Sequence, residues 1–318
     1  MSKKPLFAYM IQLSTHMWTD EYSRFTRWYP SDMYTENNNV DLDVWDSTVR
    51  FLGERKYDLL LIDVGDAVRY ESHPEISAPD AWDKDFMKKK LDEIRALGIE
   101  PIPKLNFSAC HDTWLKEYRR MLSTPAYYKA CADVIAEVCE LFGYPRFFHL
   151  GLDEEVHNLQ NTYECSIVRG EQLWWHDAYF FFAECEKHGA RPWVWSDYMW
   201  DHVDLFLEKM PKSVIQSNWH YQNFADYGPE NQRVKTRLEC YAKLDQAGFD
   251  QIPTGSSVFN YTNTYQLTGF CKERLSEEHL LGIMDAPWVN TEELARYQLL
   301  NDAHRLYMAR KHWYPETL

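Results

Sequence analysis

Eight short apolar runs divide the chain, at residues 6–13, 57–64, 99–107, 147–155, 191–197, 214–219, 252–259 and 281–286. Runs of this length predict strands, and the unbroken apolar stretch at 59–62 predicts a parallel strand covered on both faces. Between the runs the apolar spacing changes to three and four residues. Trp45, Thr48, Val49 and Leu52 then share one face of a helix predicted over 41–55. A second helix, 81–97, opens with Asp83 and Asp85 and stops at Gly98. The third has Thr124 as its cap, Pro125 in its first turn and Gly143 at its end. Along one side of it repeat Tyr128, Cys131, Ile135, Cys139 and Phe142. Two more helices are predicted over 172–187 and 291–311, the last with Asn290 and Glu293 placed as a capping box.

Eight strands, each followed by a helix or a shorter crossover, predict an α/β fold, a (β/α)8 TIM barrel forming a single domain over 1–318. A doubly wound open sheet is the competitor. It fits less well, because no glycine-rich phosphate loop follows a strand and the chain has only 12 glycines. No proline- or serine-rich linker marks a second domain.

Composition narrows the function. Hydrophobic residues make up 45% of the chain, enough for a large core. The net charge of -15 argues against a nucleic-acid partner, which needs clustered Lys and Arg. No apolar run approaches the roughly 20 residues of a membrane span, so no membrane partner is expected. The start, Met-Ser-Lys-Lys-Pro, leads into no apolar signal region, so a cytoplasmic location is expected; a secreted or periplasmic form with its signal removed would read identically. The 7 cysteines are odd in number and form no CxxC pair, which favours a reduced compartment over a disulfide framework or thiolate zinc site. The outlier is aromatic. With 13 Trp and 21 Tyr, the chain is rich in flat apolar faces with polar edges, which suit sugar rings.

In a barrel of this kind the reactive side chains stand at the C-terminal ends of the strands. Those ends carry His16 and Trp18; Asp63 and Asp66; Asn106 and His111; Asp153, Glu154 and Glu155; Trp195, Asp197 and Trp200; Trp219 and His220; Tyr261 and Asn263; Asp285 and Trp288. Carboxylates interleaved with indoles are what a carbohydrate-cleaving pocket needs. Glycoside cleavage requires a protonated acid beside the leaving oxygen and a group that stabilises positive charge at the anomeric carbon. Neighbouring residues of a strand face opposite ways, so Asp153 and Glu154 can divide that work. Glu155 reads as a loop acid and His149 as a core histidine.

The same residues resemble glycoside hydrolase family 20, the β-N-acetylhexosaminidases. Its strand-four signature, His-x-Gly-Gly-Asp-Glu, is matched by His149, Gly151, Asp153 and Glu154, with Leu152 at the second glycine. Strand three of the family is matched by the run from Gly98 to Asn106, with His111 slightly displaced. Asp58, Asp63 and Asp66 fall on its strand-two motif, Gly282, Trp288 and Asn290 on strand eight, and Tyr261-Thr262-Asn263 after strand seven. The resemblance implies retaining exo-cleavage of an N-acetylhexosamine-type sugar by substrate assistance. Glu154 would be the general acid/base, Asp153 would orient the 2-acetamido group, and Tyr261 would bond its carbonyl. Trp195, Trp219 and Trp288 would wall the sugar. The sequence also departs from the family. Its sugar-gripping Arg at the end of strand one is missing from Gln12-Leu13-Ser14-Thr15-His16, and acidic positions have become Lys104, Asn106, Asn263 and Asn290.

Three alternatives compete. One is a two-carboxylate glycosidase of other specificity, pairing Glu154 with Asp197 or Asp285. Another is a non-catalytic carbohydrate-binding barrel. The third is a metal-dependent barrel enzyme built from His16, Asp63, Glu154 and Asp285. With no HExxH and no His-x-His on the first strand, neither a metal nor a cofactor is expected.

Overall fold

The apolar runs do form strands, and all pair in parallel. In the computed structural model, which describes residues 4–18, 20, 21, 34–160, 163–224 and 231–318, strands and helices alternate. β1 (Leu6–Gln12) leads to α1 (Leu42–Glu54), β2 (Leu59–Asp63) to α2 (Lys84–Ala96), and β3 (Glu100–Lys104) to α3 (Pro125–Leu141). β4 (Phe147–His149) precedes α4 (Glu171–Lys187), and β5 (Arg191–Trp195) precedes α5 (Tyr198–Asp201) and α6 (Val203–Lys209). β6 (Ile215–Ser217), α7 (Gln232–Gln246), β7 (Thr254–Gly255), α8 (Asn263–Arg274), β8 (Gly282–Asp285) and α9 (Arg296–Trp313) complete the order.

The strands lie in the order β6-β5-β4-β3-β2-β1-β8-β7. Single bridges from Gln216 to Gln251 and from Trp219 to Thr254 join the two edges. The sheet is thus a closed (β/α)8 barrel. Period-two alternation separates two cores. Ala8, Met10, Leu59, Leu61, Ile102 and Met284 fill the barrel. Leu60, Ile62, Phe148 and Ile283 pack outward against the helices. Inward parity continues to the strand ends. Gln12, Asp63, Lys104 and His149 therefore stand in one register across four neighbouring strands and form a polar layer at the mouth.

Local signals act as expected at several helix starts. Asp41 caps α1 through the backbone N–H groups of Asp43 and Val44, Asp83 caps α2, and Thr124 caps α3. Several elements differ from the sequence pattern: the seventh strand shrinks from 252–259 to Thr254–Gly255, and helix α7 stands where no helix was predicted. The fourth strand stops at His149 instead of reaching Glu155, because the following residues turn into the left-handed region. The last helix begins at Arg296, after a 3-10 turn at Glu293–Ala295, and Ala295 rather than Asn290 takes the cap position. Asn290 instead bridges to Gln12. Helix α8 had no apolar stripe to announce it, since its buried face includes Thr264, Thr268 and Gly269. A Cβ at Gly269 would meet the Trp313 ring at 2.5 Å, so this glycine lets α9 close against α8.

Candidate active site

The chain leaves β4 through a strained turn. Gly151, Leu152 and Glu154 have φ of 69°, 67° and 53°. For the two non-glycine residues that conformation costs roughly 1 to 3 kcal/mol each. Asn106, just past β3, holds the turn in place. Its Oδ1 accepts from the N–H of Ser108 at 3.0 Å and of Leu152 at 3.3 Å, and its Nδ2 donates to Asp153 Oδ1 at 2.9 Å. Only glycine fits at 151, because a Cβ there would lie 1.9 Å from Asn106 Oδ1. The backbone N–H of Glu154 donates to Asp197 Oδ2 at 2.8 Å. Asp153 and Glu154 therefore diverge by a turn, not by the pleat of a strand.

The two acids differ in surroundings. Asp153 is 7% exposed, whereas the Glu154 side chain keeps 38% of its surface open. His111, itself buried, places Nε2 at 3.4 Å from Asp153 Oδ2 and 3.5 Å from Glu154 Oε2. Ligand atoms of these three residues lie within 4.8 Å of one another, close enough to share a cation. Asp197 is half-buried, and desolvation, reinforced by the charge of Asp153, pushes its carboxyl up to about 7. Trp219 Nε1 donates to its other oxygen at 3.4 Å.

Glu155, the third acid of the run, is no solvated loop residue. Arg169 clasps it through Nε at 2.8 Å and Nη2 at 2.6 Å. The same guanidinium bonds Asp177 on α4 and the carbonyl of Phe107. This buried cluster fixes the far side of the turn, and nothing in the local sequence pattern pointed to Arg169.

Aromatic rings line the mouth in a connected series. Trp288 lies 5.8 Å from Trp18, 5.7 Å from Trp195 and 6.3 Å from Tyr221, between ring centroids. Tyr221 stacks on Trp219 at 4.9 Å. Its phenol is pushed well up by burial, and the charges of Asp153, Glu154 and Asp197 add to this. Tyr221 is thus the tyrosine that shares the acids' environment. The spacing Trp219-x-Tyr221, two residues apart on an extended segment, was the signal that could have revealed it. Tyr261 is 74% exposed, and its ring lies 4.7 Å from the Arg305 guanidinium.

The floor is the polar layer. Lys104 is buried and paired with Asp63, whose carboxyl burial pushes up against the pull of that lysine. His149 is driven well below its ordinary value by burial and by Lys104. It accepts the Gly151 N–H at 3.0 Å, as a neutral core histidine would. Both polar atoms of the buried Gln12 amide, and the indole N–H of Trp195, have no hydrogen-bond partner among the described residues. Buried polar groups are ordinarily satisfied, so such a group of them at one mouth suits a hydroxyl-bearing ligand.

The remaining expected residues lie elsewhere. His16 bonds Asp66 Oδ2 through Nδ1 and the Thr35 carbonyl through Nε2, each at 2.5 Å. Burial would raise Asp66, but His16 and Lys116 hold it below its ordinary value. Asn263 is engaged with the His220 and Gln222 carbonyls and with Ser256 N–H. Asp285 turns outward, where Thr264 of α8 donates to it and Asp302 of α9 lies close. The four residues of the metal-enzyme alternative are therefore not brought together as one set.

No family model matches the sequence, and no curated protein matches it. Solved structures do. An exo-β-N-acetylglucosaminidase from Vibrio harveyi, solved with N-acetylglucosamine, aligns with a TM-score of 0.62 at 12% identity over 98% of this chain and 57% of that one. A β-N-acetylhexosaminidase from Bacteroides fragilis gives 0.62 at 10% identity, over 98% and 71%. A catalytic module of the pneumococcal exo-β-D-N-acetylglucosaminidase gives 0.61 at 13%, over 98% and 86%. The fold is that of the family 20 barrels. At these identities the likeness establishes the architecture, and this chain spans little more than half the length of the Vibrio enzyme.

Proposed function

We propose that this chain is a retaining exo-glycosidase for an N-acetylhexosamine-type sugar, working by substrate assistance from a single catalytic domain. The observation that carries the reading is the Asp153–Glu154 pair at the mouth of the barrel, one acid fixed and nearly buried, the other open to the pocket. In this scheme Glu154 gives its proton to the leaving oxygen as the substrate's acetamido oxygen attacks the anomeric carbon. Asp153, aimed by Asn106, holds the acetamido N–H and balances the positive charge that develops on it. Water then opens the bicyclic intermediate, and Glu154 takes the proton back. The hydroxyl for the acetamido carbonyl falls to Tyr221 rather than Tyr261. Gln12, at the strand end where the family carries Arg, offers a neutral donor and acceptor to a ring hydroxyl.

The two-carboxylate alternative is less well supported. Asp197 is raised to about 7 and occupied by the Glu154 N–H, which suits a positioning acid more than a nucleophile. Asp285 faces the helices. Among the described residues no helix is long and apolar enough to cross a membrane. A thiazoline mimic of the bicyclic intermediate tests the scheme. Competitive inhibition is expected, turnover that ignores the compound would favour a second carboxylate, and binding without turnover of any glycoside would favour a lectin-like barrel.

A further inference from the structure

Helix α7 carries Arg233 and Arg237 one turn apart, an arrangement of like charges that disfavours the helix. The helix's own Glu239 is engaged by Lys235 and Lys243, and neither arginine forms an ion pair among the described residues. Arg237 lays its guanidinium 3.8 Å from the centroid of the Trp200 ring and 5.1 Å from that of Trp219. Its Nε is buried with no hydrogen-bond partner. Asp197, Glu154 and Tyr221 all lie within its electrostatic reach, so it stands at the aromatic wall of the mouth, while burial and Arg233 make its charge harder to hold. A chain of net charge -15 has carboxylates in excess, yet among the described residues this cation forms no ion pair with any of them. Planar guanidinium forks match oxyanions, and stacking on indole orients the fork without using its donors.

We propose that Arg237, with Arg233 outside it, is a specificity-determining anion site that favours a sugar bearing a sulfate or phosphate monoester over the neutral sugar. The proposal rests on reading the mouth as an N-acetylhexosamine pocket. Without these arginines the acids at the mouth would repel such a substrate. With them, the ester oxygens meet two guanidiniums at the edge of the Trp200–Trp219 wall.

Calorimetric binding of N-acetylglucosamine and of its 6-sulfate, 4-sulfate and 6-phosphate esters tests this without requiring turnover. The whole chain is expected to bind at least one ester tenfold or more tighter than the neutral sugar, and the sulfate and phosphate arms identify the preferred oxyanion. Arg237→Gln should reduce that ester-to-neutral ratio at least tenfold, and Arg237→Lys should retain part of it. Arg233→Gln, at an exposed position, should lower it a few-fold. Esters bound no tighter than the neutral sugar would overturn the anion site. So would an Arg237→Gln protein that weakens all the sugars alike, since Arg237 would then only prop the indoles. If the neutral sugar and every ester fail to bind, the hexosamine reading of the mouth fails as well.

Discussion

Two pairs of carboxylates sit near the C-terminal ends of the strands, and they have opposite fates. Asp153 and Glu154 follow an inward-facing strand position and open into the barrel mouth, beside His111 and the indole wall. Asp285 and Asp302 lie between the barrel and its helices, bonded by Thr264, Ser257 and Arg305. Burial, with the charge of Asp302 added, pushes Asp285 well up, and burial pushes Asp302 up against the pull of Ser257 and Arg305. Closeness of two acids is common to both places. What separates them is the face of the sheet from which each side chain departs, and whether a ligand can reach it.

Substitutions can test that contrast. Outside Glu154 itself, the largest effect is expected at Asp153→Asn, which keeps the shape but removes the charge that balances the acetamido group. Turnover of an N-acetylhexosaminide should fall roughly 100- to 1000-fold with the fold unchanged by circular dichroism. Gly151→Ala should act through position. Its Cβ would displace Asn106, costing about 1 to 3 kcal/mol in a urea melt and lowering turnover about tenfold as Asp153 loses its donor. Asp285→Asn should leave turnover within about threefold, because its side chain faces the helices, bonded to Thr264, and not the barrel mouth. A loss as large as that of Asp153→Asn would erase the distinction between the pairs.

The smallest effect is on the pH dependence of stability. The carboxyls of Asp197 and Asp112 are pushed up to about 7 from 3.8. Between those values the folded protein keeps protons that the unfolded chain has released. Their contribution to stability is therefore complete below pH about 4 and lost as pH rises through about 7. Asp197→Asn removes one such site. Relative to the parent, the variant should gain about 1 to 3 kcal/mol between pH 4 and pH 8 in urea melts. A constant difference across that range would contradict the assignment.

The barrel was legible because its strands are apolar runs that need no partner to be recognised. The acid pair was legible by position, as residues just beyond such a run. Their geometry was not, since Leu152 and Glu154 carry no sequence mark of a left-handed turn. The face of Asp285 was hidden for a related reason: Gly282, Ile283 and Met284 are all non-polar, so alternation cannot tell inside from outside. The Arg169–Glu155 clasp depends on contacts between loops, which pattern along the chain does not encode. Helix α8 was missed because Asn263, Thr264, Thr268 and Gly269 share its buried face with Leu267 and Cys271, which breaks up any apolar stripe.

The most direct test pairs an aryl N-acetyl-β-glucosaminide with the corresponding β-glucoside, each given to the native chain and to Glu154→Gln. The account predicts hydrolysis in only one of the four combinations, the acetamido substrate with Glu154 intact, and a loss of about 1000-fold or more on removing that acid. Equal cleavage of the plain glucoside, or unchanged turnover by the Gln form, would contradict it.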